Sequence, residues 1–270
     1  MTRLYRAIWA WLLGIALLSN SATAYGEWYV GGYGGISGGS SLRDVTMPIF
    51  GQRLAEQQFP KANDPLDSNG RGTLTQNYKT SDIALKSSII FGGKVGYFFT
   101  REKLSWLGVE LEAFRNSPKI KSQTVSTEQD ITYQPNTPAT AAQCLPPTPL
   151  PNCPAYVFNR SSLTLQQSSL RVTTVAFNVI ARYPGSLFQP YVGVGAGALY
   201  FSSDSGSIQG RQWYPGLNLL AGAKLRMTEE WGLFAEGKYN MANVTNFDPT
   251  FGLSGMYSIF HVVGGVAYHF

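Results

Sequence analysis

Histidine and cysteine are almost missing from this chain, and beyond its first two dozen residues so are long apolar runs. Of 270 residues, two are His and two are Cys. The thiols of Cys144 and Cys153 make a poor metal site on their own, and neither His261 nor His269 lies near them in sequence. No metal or cofactor is therefore expected. Charge is scarce too: 14% of residues, with a net +5 that falls to +3 once Arg3 and Arg6 are set aside. So small and scattered an excess argues against a nucleic-acid partner. No stretch after residue 24 supplies the ~20 consecutive apolar residues of a membrane-spanning helix.

What the chain does have is glycine, 29 residues, and aromatics, 13% of the total. That mixture suits short strands better than helices. The N-terminus is of another kind. Arg3 and Arg6 precede an apolar run from Ile8 to Leu18, and Ala22-Thr23-Ala24 follows. A basic start, a short apolar middle and an A-x-A end make residues 1–24 a cleavable secretory signal, too short to span a bilayer. Residues 25–270, 246 in number (270 − 24), are expected to form one domain. Export also bears on the cysteines. They flank Leu145-Pro-Pro-Thr-Pro-Leu-Pro-Asn152, and in an oxidising compartment a disulfide closing this stiff loop is expected.

Along the rest of the chain apolar and polar residues alternate with period two, as in strands with two unlike faces. Trp28, Val30 and Ile36 alternate with Tyr29 and Tyr33, and the intervening glycines permit tight curvature. Ile89, Phe91, Val95, Tyr97 and Phe99 lie opposite Lys94, and Leu107, Val109, Leu111 and Ala113 oppose Glu110 and Glu112. Val175, Phe177 and Val179 oppose Asn178 and Arg182; a glycine-rich segment follows from Pro190 to Phe201. Leu217 and Leu219 oppose Asn218, Lys224 and Arg226, Leu233 and Ala235 oppose Glu236, Lys238 and Asn240, and the last segment alternates Phe260, Val262, Val266, Tyr268 and Phe270. Residues 38–85 and 118–167 are polar and rich in turn formers, and read as long loops. Within the second, Thr124 to Tyr133 and Tyr156 to Leu165 alternate and would pair as a ribbon above the membrane.

The tally is about eight strands, joined alternately by long loops and short turns. That pattern predicts an all-β, closed antiparallel transmembrane barrel, an up-and-down meander with two long extracellular loops and both termini in the periplasm. Lys94, Glu110, Glu112, Arg182, Lys224, Arg226, Glu236 and Lys238 then form a polar network in the lumen, because a Lys or Arg facing mid-bilayer lipid costs about 2–4 kcal/mol. With about eight strands the interior is just filled by side chains, so a plug is expected rather than an open pore.

The chain resembles the small outer-membrane β-barrel family typified by the N-terminal barrel of OmpA. The resemblance lies in Trp28-Tyr-Val-Gly31, Gly108-Val-Glu-Leu-Glu112, the glycine-rich Pro190–Gly197, Leu220-Ala-Gly-Ala-Lys224 and Phe234-Ala-Glu236, which are similar to strands of porin-family members. It covers the strands but not the two long loops. The end of the chain, with Val266, Tyr268 and terminal Phe270, resembles the sorting signal of such proteins. The resemblance implies outer-membrane lipid and lipopolysaccharide as surroundings, the barrel-assembly machinery as a partner in biogenesis, and an extracellular ligand for the loops. A peptidoglycan-binding domain after the barrel is not expected.

Some barrels of this kind modify lipid A or cleave proteins. Here His261 and Ser258 fall on opposite strand faces by parity, and no deacylase-type His-x-Ser is present. Gly26-Glu27-Trp28 imitates a lipocalin G-x-W, but a lipocalin is expected to finish with a helix. The expected function is thus a non-enzymatic outer-membrane protein in envelope structure or surface interaction. The alternatives are a small-solute porin and a lipid A-modifying enzyme.

Overall fold

The structure is a computed structural model that describes residues 26–60, 62, 72–99, 104–136, 144 and 153–270. The expected signal at 1–24, residues 100–103 and the proline-rich span 145–152 lie outside the described residues. In chain order the elements are β1 (Gly26–Ser37), β2 (Ser41–Thr46), α1 (Pro48–Gln58), β3 (Gly72–Thr80), β4 (Ile83–Ala84), β5 (Ser88–Phe99), β6 (Leu107–Asn116) and β7 (Lys119–Ile120). There follow β8 (Gln123–Pro135), β9 (Ala155–Leu165), β10 (Ser168–Ser169), β11 (Arg171–Arg182), β12 (Phe188–Ser203), β13 (Gly210–Arg226), β14 (Trp231–Val244) and β15 (Ser254–His269).

Eight of these strands close a ring in the order β1, β5, β6, β11, β12, β13, β14, β15, with β15 pairing back onto β1. Every pair in the ring is antiparallel, and the closing register runs from Tyr29↔His269 to Ser37↔His261. Closure leaves no sheet edge, which a bilayer requires of any strand that crosses it. Period two sets the faces. In β6, Gly108, Glu110, Glu112 and Phe114 are buried, whereas Leu111 and Ala113 between them are exposed.

The segments expected to be long loops are themselves folded. Residues 38–85 hold β2, α1, β3 and β4, and residues 118–167 hold β7, β8 and β9. The outer end of β15 leaves β1 and pairs with β2 (Tyr257↔Leu42), and the sheet continues through β3 and β8 to β9. The β8–β9 ribbon has the register Thr124↔Thr164 to Tyr133↔Ala155. Helix α1 starts with Pro48, whose fixed φ suits a first turn. It lies so close to β3 that a side chain at Gly51 would strike Gln76 and Tyr78. Gln76 Nε2 donates to the Pro48 carbonyl at 2.9 Å and Gln129 Nε2 to that of Gly51 at 2.8 Å.

This headpiece has its own apolar core. Met47, Ile83, Leu85, Ile120, Leu165, Phe201 and Tyr257 are all buried there. Full burial of such a side chain stabilises by roughly 1.5–3 kcal/mol. The strands run further than alternation alone suggests, with β13 starting at Gly210 and β15 at Ser254. Their added residues Tyr214 and Tyr257 meet Phe201 edge-on inside this core.

Candidate functional site: the ionisable interior

Three carboxylates and two ammonium groups meet at the middle of the barrel. Glu110 accepts from Tyr29 Oη at 2.6 Å and from Asn178 Nδ2 at 3.2 Å, and pairs with Lys94 at 3.2 Å. Glu112 accepts from Tyr33 Oη at 3.0 Å, from Asn178 at 3.1 Å, and from Asn218 and Lys238. Glu236 pairs with Lys94 at 2.7 Å and Lys238 at 2.8 Å and accepts from Tyr191 Oη at 2.7 Å. A ladder of amides, Asn240 to Asn218 to Asn178, joins β14, β13 and β11 across the same space at 2.9 and 2.8 Å.

Nearer the termini lies a second group. Arg182 pairs with Glu27 at 2.6 Å and stacks its guanidinium 3.7 Å from the Phe98 ring centre. Glu27 also meets His269 at 2.5 Å, and His269 Nε2 sits 3.1 Å from Lys224 Nζ. Lys224 lies over the Tyr29 ring at 4.4 Å. The balance is even: four cations (Lys94, Arg182, Lys224, Lys238) and four anions (Glu27, Glu110, Glu112, Glu236). Opposed charges with this many hydrogen bonds are the arrangement that offsets the desolvation of each ion. Between the two groups remains a cavity of about 10 Å³, lined by Tyr29, Lys94, Tyr191 and Lys224 among others, room for one water.

Of the eight residues selected from sequence, seven line this interior: Lys94, Glu110, Glu112, Arg182, Lys224, Glu236 and Lys238 are all buried. Arg226 does not. It is the last residue of β13, partly exposed, and its guanidinium donates to the Glu229 carbonyl in the following turn at 2.5 Å. Parity puts it with Lys224, but at that point the strand is leaving the barrel. Arg182 likewise ends β11 rather than sitting mid-strand. Sequence reasoning missed Glu27, Tyr29, Tyr33 and Tyr191 as members. Parity carries the signal for them, since Glu27, Tyr29 and Tyr33 alternate with Trp28 and Val30, and Tyr191 lies between Pro190 and Val192.

The glycines have a second use here. Gly96 and Gly195 point inward, and a side-chain carbon on either would collide with the Tyr29 ring or the Asn178 amide respectively. Their bare backbones make room for the groups that serve the carboxylates.

His261 is buried with its Nδ1 2.7 Å from Ser37 Oγ on the neighbouring strand and its ring edge-on to Phe114. Both partners are 0% exposed. Ser258 is buried too, and Ser40 Oγ donates to its carbonyl. At the ribbon tip Cys144 and Cys153 are joined in a disulfide with Cα atoms 5.6 Å apart. At the chain end Tyr268 and Phe270 are 5.8 Å apart, and Val266 faces outward.

The outside of the ring is the reverse of its interior. Ile89 (72% exposed), Phe91 (60%) and Val192 (58%) belong to an apolar surface carried by all eight ring strands. On β1 it runs from Trp28 to Ile36 and on β5 from Ile89 to Phe99, nine and eleven residues. A tilted strand crosses a bilayer in about 9–11. Aromatic pairs mark both margins: Trp28–Tyr97 and Trp231–Tyr268 near the termini, Tyr200–Trp213 at the far end. Such girdles sit at membrane–water interfaces. The chain is a closed eight-stranded β-barrel with a lipid-facing outer surface.

No family model matches this barrel, and no curated protein does either. Among solved structures it is similar to Neisserial surface protein A, at 11% identity over 90% of this chain and 97% of that one, TM-score 0.43. OprG from Pseudomonas aeruginosa is similar at 14% identity over 91% and 96%, TM-score 0.43. So is the outer membrane protease OmpT from Escherichia coli, at 12% identity over 92% and 98%, TM-score 0.35. The likeness is one of architecture, which by itself assigns no activity.

Proposed function

We propose that this barrel is a non-enzymatic outer-membrane protein in which a sealed, charge-balanced plug carries a folded headpiece for contact at the cell surface. The observation that carries the reading is the interior itself. Four cations and four carboxylates line the lumen, all of them buried but Glu27, and the apolar headpiece core sits above them. The small cavity between the two groups of charges, with room for about one water, supports a closed lumen. The Ser37–His261 pair has both side chains out of solvent, which speaks against its use on a substrate.

Export follows from residues 1–24 acting as a cleaved signal, and the disulfide fits the oxidising compartment beyond it. Outward-facing Val266, Tyr268 and terminal Phe270 would be read by the assembly machinery. Planar-bilayer recording of the reconstituted protein tests the plug. No stepwise conductance is expected. Steps that vanish on Lys94→Met would overturn the reading in favour of a solute path. Lipopolysaccharide incubated with the protein should show no mass change; loss of an acyl chain would assign an enzyme instead.

A further inference from the structure

Just above the apolar belt, on one side of the barrel, three segments run side by side. Lys86 N donates to the Lys119 carbonyl at 2.8 Å, Lys121 N to that of Ala84 at 3.1 Å, and Lys119 pairs with Ser169 of β10. Leu85, Ile120, Leu170 and Val172 from these segments are buried in the headpiece core. Alternation therefore turns Lys86, Lys119, Lys121 and Arg171 outward, and all four are exposed. Arg115 is exposed on β6, where it is the cross-strand partner of belt residue Phe91 on one side and Thr173 on the other. Five cations thus share one face. Arg171 is paired with Asp204, which also takes Arg211. Lys86 holds Gln167 at 2.9 Å, and among the described residues Arg115, Lys119 and Lys121 have no carboxylate partner.

We propose that this face is a binding site for a multiply phosphorylated, multi-acyl glycolipid of the outer leaflet. Its phosphates would lie among Arg115, Lys119, Lys121 and Lys86, and its acyl chains on Ile89, Phe91, Leu111 and Val175 below. Two features select that chemistry. The cations are continuous with the lipid-facing belt, so one molecule must be both anionic and acylated to use both. Arg115, Lys119 and Lys121, without carboxylate partners among the described residues, can between them meet more than one phosphate, and multidentate phosphate contacts are stronger than single surface pairs. The inference rests on the outer-membrane reading above.

The test is native mass spectrometry of the full mature protein refolded in detergent, offered three lipids at equal amounts. These are bis-phosphorylated lipid A, the same lipid stripped of phosphate, and phosphatidylglycerol. Phosphorylated lipid A should be retained about tenfold better than either other lipid, a difference of about 1.4 kcal/mol. R115E/K119E should abolish that preference, and R160E, on β9, should keep it. Equal retention of the stripped lipid or of phosphatidylglycerol, or an unchanged preference in R115E/K119E, would overturn the proposal. Should the double variant fail to fold, the unmodified protein still decides. Raising salt from about 0.1 to about 0.5 M must weaken retention of the phosphorylated lipid and not of the stripped one. Gel mobility with and without boiling reports on the barrel separately, so loss of lipid preference with an intact shift leaves the outer-membrane reading standing.

Discussion

Glu112 is the residue on which the interior converges, with Tyr33, Asn178, Asn218 and Lys238 all donating to one buried carboxylate. Its worth is best judged by what removal leaves behind. Glu112→Ala strands Lys238 with Glu236 as its remaining anion, and breaking a buried pair from one side costs about 3–5 kcal/mol. Urea titration in lipid vesicles, read by the loss of the fast-migrating folded band, should show a destabilisation of that order. Adding Lys238→Met should return part of the loss, because the double change removes the orphaned charge along with its partner. A double variant as unstable as the two losses summed would mean that Lys238 and Glu112 do not act as a pair.

At the scale of elements, the ring strands and the β8–β9 ribbon could be read from sequence, and the rest of the headpiece could not. Lys94, Glu110, Glu112, Glu236 and Lys238 each sit between outward apolar neighbours, so a local rule of two places them. The β8–β9 ribbon obeyed the same rule. By contrast β2 is six residues long and pairs with a segment of β15 more than two hundred positions away; no local pattern encodes such a partner. It also carries Asp44 at positive φ, and its register onto β15 shifts between Ser254 and Met256. Helix α1 was hidden for a different reason: its buried residues are Gly51 and Ala55, too small to register as an apolar stripe. Arg226 was misplaced because parity says nothing about where a strand ends. One loop yields a pH prediction. Between β12 and β13, a hydrogen bond from Arg211, with Arg171 close by, holds the Asp204 carboxyl below its ordinary value of 3.8. A depressed pKa stabilises the folded loop above the ordinary value, and the contribution is lost as pH falls through the depressed one. Protection factors at residues 204–211 should therefore be unchanged between pH 7 and about pH 5, and fall only under strongly acid conditions as opening becomes frequent. Equal opening in Asp204→Asn at neutral pH would remove the carboxylate from this role.

The whole molecule is an inside-out arrangement below and a conventional one above. Within the membrane, ions point to the axis and hydrocarbon to the lipid; in the headpiece, apolar side chains turn inward against water. Both halves follow from the surrounding solvent, since each exposes to its medium the groups that medium solvates. Because the ring continues into the headpiece through β12 to β15, the plug and the surface structure form one body and not a pore with loose loops. Strand β11 offers the most direct test, because two of its neighbours separate sidedness from polarity. Val179 is 44% exposed on the belt, and Ile180, equally apolar, is 1% exposed inside. Single cysteines placed at these two positions in a Cys144→Ser/Cys153→Ser background, labelled before refolding with a small fluorophore, can be tested against quenchers attached to lipid chains. The account predicts strong quenching at position 179 and little at 180. Equal quenching at both, or the reverse, would contradict it.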